Sequence, residues 1–97
     1  MTFANLLIEE MRLVMLRLLA EMPSYRANSS TLTSGLDSYG LSFSRDQVKS
    51  ELHWLADSSH ITIEADTGSV LVVKLTERGA DIAAGRTKAH GIKRPHA

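Results

Sequence analysis

The sequence contains no cysteine, only two prolines and only 5% aromatic residues among its 97 residues. The lack of cysteine excludes disulfide bonds, thiolate metal sites and cysteine nucleophiles, and it fits a reducing cytosol. Uninterrupted apolar runs are too short to cross a membrane, and the first residues lack the basic start of a signal peptide. We therefore expect one small domain that works in the cytoplasm.

The net charge is zero, but the charges are unevenly distributed. Residues 1–85 contain all eleven acids and sum to −4, whereas residues 86–97 contain four basic residues and no acid and sum to +4. Gly91 and Pro95 interrupt this last segment. We predict a folded domain over residues 1–85 and a basic, flexible tail over residues 86–97.

Hydrophobic spacing predicts two helices in the first part of the chain. The first helix covers about residues 2–22, is rich in Leu, Met, Glu and Arg, and ends before Pro23. A polar loop over residues 24–30 is predicted next. The second helix begins near residues 29–30 and ends at Gly40, where a left-handed residue belongs.

Ser44 opens the third helix, because Gln47 follows three residues later and the two form a capping box. Alternating residues 61–65, a turn signal and residues 70–75 predict a β-hairpin. Thr76 is the N-cap of a short last helix. The predicted fold is α+β, a winged helix-turn-helix with three helices, a two-stranded β-hairpin wing and a short C-terminal helix.

The first helix carries a second apolar stripe opposite its main buried face. This stripe comprises Leu6, Leu13, Leu16 and Ala20. A helix with two apolar stripes needs a second partner. Two partners are open. One is a second copy of the chain, in which case the stripe is a homodimer interface. The other is the C-terminal helix of the same chain.

Several segments of the chain resemble one protein family. They are RLVMLRLLAEMPSYRANSSTL, SRDQVKSELHWLADS, LTERGADIAAG and the closing GIKRP. These segments are similar to the small winged-helix, ArsR-like proteins of Mu-like transposable phages and prophages. The resemblance implies a phage-encoded protein that acts in the bacterial cytoplasm. From the fold and this resemblance we predict a phage or prophage DNA-binding transcriptional regulator that acts as a homodimer. Metal-sensing ArsR proteins differ from a chain without cysteine, so we expect neither metal nor cofactor.

In a winged helix, the N-terminal turns of the third helix enter the major groove. We predict that Arg45 or Lys49 contacts guanine or phosphate in double-stranded DNA, that Gln47 reads adenine and that Ser50 contacts a phosphate. The basic tail lies along phosphates or in a minor groove. Its alternatives are a solvated, disordered end and a strap that docks on a partner subunit. The full predicted DNA site is Ser44, Arg45, Gln47, Lys49, Ser50, His53, Arg86, Lys88, Lys93 and Arg94.

Other features favour a different class of function. Asp46 and Asp57 share the outer face of the third helix, and residues 66–69 at the wing tip contain no Lys or Arg. Both features disfavour contact with phosphates. The alternative is a winged-helix interaction module that binds a host or phage protein without binding DNA.

Catalytic and metal-binding functions find no support in the spacing of polar residues. The four histidines, His53, His60, His90 and His96, form no ligand pair on one helix, and we expect them to be solvated or hydrogen-bonded. No nucleophile has an evident base partner, so we expect no enzyme. Trp54 lies off the buried stripe of the third helix and is predicted to pack on a neighbouring element or at a dimer contact.

Overall fold

The computed structural model describes residues 2–95, which form an α+β fold of four α-helices and three strands. The helices are α1 (Phe3–Glu21), α2 (Ser29–Ser38), α3 (Arg45–Asp57) and α4 (Glu77–Ala83). The strands are β1 (Arg26–Asn28), β2 (Ile61–Asp66) and β3 (Leu71–Leu75). They form one antiparallel sheet in the order β1-β3-β2.

Side-chain caps fix the predicted starts of α3 and α4. Ser44 Oγ accepts a hydrogen bond from the Gln47 backbone N–H at 3.1 Å, and Gln47 Oε1 accepts one from the Ser44 backbone N–H at 3.2 Å. Thr76 Oγ1 accepts from the Gly79 backbone N–H at 3.0 Å. The capping box and the Thr76 cap are therefore confirmed, and Gly40, with a φ of 76°, takes the predicted left-handed conformation.

Strand β1 lies where a polar loop is predicted, so the sheet has three strands rather than two. Ser24 and Tyr25 both have positive φ, 56° and 58°, and turn the chain after α1. Arg26 then pairs with Lys74 of β3. Only Ala27 in this strand is buried, and three residues are too few to show the alternation that predicts a strand.

The predicted dimer stripe on α1 requires a correction, because the chain itself covers the middle of the stripe. Leu16 is fully buried and Leu13 is 3% exposed, whereas Leu6 and Ala20 are exposed. Helix α1 packs against both α2 and α4, so opposite sides of this helix face the interior. Leu13 and Leu16 are therefore core residues and are not available to a second copy.

The C-terminal segment is docked on the domain, in contrast to the predicted flexible tail. Ile92 is 6% exposed and belongs to the hydrophobic core, and the Lys93 backbone N–H donates to the Glu9 carbonyl at 3.2 Å. Burial of the Ile92 side chain and the Lys93 backbone hydrogen bond favour the docked position, although the segment has the polar composition of a flexible tail. Residues 96 and 97 of the predicted tail, which include His96, lie outside the described residues.

Candidate nucleic-acid interface

The start of α3 lies beside the start of α2 and the turn between β2 and β3. Arg45 Nη2 donates to Ser30 Oγ at 2.7 Å, and Lys49 Nζ donates to the Gly68 carbonyl at 3.3 Å. Ser50 is exposed next to them along the helix. We call these four residues, Ser30, Arg45, Lys49 and Ser50, together with the turn, the α3 surface.

Both cations of the α3 surface have neutral hydrogen-bond partners. Within residues 2–95, no ion pair includes Arg45 or Lys49. Exposed Asp46 adds negative charge nearby, and Asp66 Oδ1 accepts from the Gly68 backbone N–H at 2.9 Å. The surface therefore presents two cations at defined positions and is not a broad positive field.

The predicted role of Gln47 in reading adenine conflicts with its role as a cap. Adenine is bound through both the carbonyl oxygen and the amide group of a glutamine side chain. The capping box engages Gln47 Oε1 with the Ser44 backbone N–H. Gln47 is therefore better assigned to the structure of α3. His53 remains exposed one turn beyond Lys49.

In the part of the chain that the structure describes, no ion pair joins the basic residues of the C-terminal segment to the α3 surface. Arg86 Nε pairs with Asp81 Oδ1 at 2.9 Å, and Lys93 Nζ lies 3.7 Å from Glu10 Oε1. Arg94 lines a hollow beside α1, and Lys88 is exposed. The predicted DNA site thus divides into a group on α3 and a second group on the docked segment, where two of four cations are paired with acids.

A cluster that the sequence did not predict holds the C-terminal segment in place. Arg12 Nε donates to Glu51 Oε1 at 2.7 Å and Arg12 Nη1 donates to the Gly91 carbonyl at 2.8 Å. The same guanidinium lies 3.7 Å from the centre of the Trp54 ring, a cation–π contact. The predicted packing of Trp54 on a neighbouring element is confirmed. We call Arg12, Glu51, Trp54 and Gly91 the Arg12 clamp.

His60 is buried, in contrast to the expected solvated or hydrogen-bonded histidines. His60 is 2% exposed, and its Nδ1 has no hydrogen-bond partner among residues 2–95. Its ring centroid lies 6.5 Å from that of Trp54. Burial first, and the charge of Arg78 second, lower the pKa of His60 below its ordinary value of 6.5, because both disfavour the imidazolium form.

The lowered pKa of His60 predicts a pH dependence of stability. His60 binds a proton more readily in the unfolded chain than in the folded one. Its contribution to the free energy of unfolding is therefore constant above the ordinary pKa of histidine, and it falls as the pH decreases from that value towards the pKa of folded His60. The slope reaches at most about 1.4 kcal/mol per pH unit for one proton. Urea unfolding between neutral and mildly acidic pH measures it, and His60→Leu should reduce the slope. An unchanged slope in His60→Leu contradicts this assignment.

Among residues 2–95, no three His, Asp or Glu side chains lie together as a metal site would require. No helix in the same part of the chain has both the length and the apolar composition of a membrane span.

Comparison with known proteins places the chain among proteins of Mu-like phages. It is 44% identical over 91 residues to the uncharacterized protein gp26 of Escherichia phage Mu, covering 94% of this chain and 93% of that protein. It is 41% identical over 78 residues to an uncharacterized protein of Haemophilus influenzae, covering 80% and 76% of the two chains. No protein-family model and no solved structure match it. The chain belongs to the family of the phage Mu protein gp26.

Proposed function

We propose that this protein is a winged helix-turn-helix regulator of phage or prophage transcription that binds double-stranded DNA as a homodimer in the bacterial cytoplasm. The order α2, turn, α3, hairpin supports this proposal, because it is the order of a helix-turn-helix followed by a wing. On this interpretation α3 is the recognition helix and the turn between β2 and β3 is the wing tip. Strand β1 is a third strand that pairs with β3 of the wing.

The observation that carries the proposal is the pairing of Arg45 and Lys49 with neutral partners from flanking elements. Arg45 reaches the start of α2, and Lys49 reaches the wing tip. On this proposal both contact backbone phosphates on either side of α3 in a major groove. Exchange of the neutral hydroxyl or carbonyl acceptor for a phosphate adds the attraction of opposite charges to a hydrogen bond whose donor is already a cation.

The competing function is a winged-helix module that binds a protein. The exposed acids on α3, Asp46 and Asp57, favour it because they repel phosphate. On this alternative the α3 surface recognises a polar surface of a host or phage protein. Affinity for DNA distinguishes the two functions, since the interaction module should not bind a duplex even at low salt.

Substitution of both cations tests the proposal. In Arg45→Ala/Lys49→Ala we expect affinity for a duplex at low salt to fall on the order of 1,000-fold, from roughly 1 kcal/mol for each of the four contacts that a dimer loses. Fluorescence anisotropy with a labelled duplex measures the affinity. Lys74→Ala/Arg78→Ala is the matched control, because it removes the same charge from exposed positions outside the α3 surface. Equal losses in the two variants, or no loss in the first, contradict the assignment.

A further inference from the structure

The first two turns of α1 carry an apolar surface that the rest of residues 2–95 leaves uncovered. Phe3 is 74% exposed and Leu6 is 48% exposed. With Leu7 they line a hollow of about 250 Å³, whose rim carries Glu9, Glu10 and Lys93. We call these six residues the N-terminal patch.

The patch is one ordered face of a helix. Phe3, Leu6, Leu7 and Glu10 follow the spacing i, i+3, i+4, i+7, which places them on one side of α1. Thr2 Oγ1 accepts from the Asn5 backbone N–H at 3.1 Å and caps this end of the helix. The backbone that carries these apolar side chains is thus capped and helical before any partner binds.

We infer that a second copy of this chain covers the N-terminal patch. Its rim contains both acids and a base, and Lys93 Nζ lies 3.7 Å from Glu10 Oε1 within one copy. A two-fold axis through the patch brings the Glu10 of each copy close to the Lys93 of the other, so that the patch is complementary to itself. A net charge of zero adds no long-range repulsion between copies.

This inference defines the homodimer of the proposed function, and it retains only Leu6 from the predicted stripe. The inferred dimer contact lies at the N-terminal turns of α1 and not at its centre, because Leu13 and Leu16 are already buried within one copy. The interface lies on α1 and, at Lys93, on the docked C-terminal segment. It involves no residue of the α3 surface, so dimerisation and DNA binding can be tested separately.

Sedimentation velocity of the full chain without DNA tests the inference. We expect a concentration-dependent dimer whose dissociation constant rises at least about tenfold in Phe3→Gln/Leu6→Gln. Ala20→Gln, an exposed position at the other end of the same helix, should leave it unchanged. A monomeric wild type, a dimer unaffected by the double substitution, or a dimer lost in Ala20→Gln overturns the inference.

Charge exchange provides a second measurement that does not depend on the apolar residues. Glu10→Lys and Lys93→Glu each place like charges together both within and between copies, so each alone should dimerise more weakly than the wild type. In a mixture, the two basic side chains of the first variant would face the two acidic side chains of the second across the interface. The mixture should therefore dimerise several-fold better than either variant alone. If the mixture dimerises no better than the average of the two variants alone, the inferred contact between Glu10 and Lys93 of different copies is contradicted.

The dimer tests and the DNA test are independent of each other. A failure in either dimer test leaves the duplex titration of the α3 surface to be judged on its own. Conversely, a dimer that forms as expected but binds no duplex overturns the proposed function and leaves the N-terminal patch as a dimer contact.

Discussion

Alanine in place of Gly79 destabilises the protein by on the order of 3 kcal/mol. A Cβ atom at this position would lie 2.1 Å from the His60 carbonyl oxygen and 2.8 Å from Leu75 Cδ1. The His60 carbonyl also accepts a hydrogen bond from the Thr76 backbone N–H at 3.2 Å. An alanine at this position therefore requires the backbone to shift, either at the start of α4 or just before β2. Either shift also disturbs the hydrogen bond between Gly79 and the Thr76 cap of α4.

Gly35→Ala is the matched control for this substitution. Its Cβ would lie 2.7 Å from Leu18 Cδ1, the end of a half-buried side chain that can turn aside. Alanine is also favoured over glycine inside a helix by about 1 kcal/mol. We expect Gly35→Ala to be at least as stable as the wild type in urea unfolding followed by circular dichroism. Equal stability of the two variants would contradict the packing at Gly79.

Arg12→Ala is expected to lower the free energy of unfolding by about 2 to 3 kcal/mol. The substitution leaves the largely buried Glu51 carboxylate without its partner at 2.7 Å, where the two side chains are only 14% and 17% exposed. It also removes the hydrogen bond to Gly91 and the contact with the Trp54 ring. The C-terminal segment should then be held less tightly, by the buried Ile92 side chain and the Lys93 backbone hydrogen bond alone.

Arg86→Ala is the control for the Arg12 clamp. Its pair with Asp81 has a similar distance, 2.9 Å, but its side chains are 63% and 40% exposed. Water screens such a pair, and we expect a loss of less than about 1 kcal/mol. Trp54 is the only tryptophan, so its emission reports the clamp directly. Unchanged emission and stability in Arg12→Ala would contradict the role of the clamp.

Local signals account for what the sequence predicted well. The starts of α3 and α4 depend on hydrogen bonds between residues three apart, as in Ser44 with Gln47 and Thr76 with Gly79. A turn such as that at Gly40 depends on one residue that tolerates positive φ. These features depend on residues that are close in the sequence, so they can be predicted without knowledge of the tertiary contacts.

Long-range contacts account for what the sequence did not predict. The clamp joins Arg12 to residues 39 and 79 positions away, and no spacing rule relates such residues. The burial of Leu13 and Leu16 depends on packing of α1 against both α2 and α4. The docked C-terminal segment follows from the same cause, because its composition alone resembles a solvated tail.

The candidate site was predicted only in part for the same reasons. The spacing of the buried stripe placed Arg45, Lys49 and Ser50 outside the core of α3, where the structure has them. The contacts of Arg45 with α2 and of Lys49 with the hairpin turn depend on the tertiary arrangement. Gln47 carried two predicted roles, and its cap geometry favours the structural one.

The salt dependence of duplex binding tests the central claim, that the α3 surface binds DNA, most directly. Each phosphate that a protein neutralises contributes about −0.9 to the slope of log affinity against log salt concentration. For a dimer that uses Arg45 and Lys49 in both copies, the wild-type slope should be steeper than that of Arg45→Ala/Lys49→Ala by roughly 3.6. No duplex binding at low salt, or equal slopes in the two proteins, would contradict the claim.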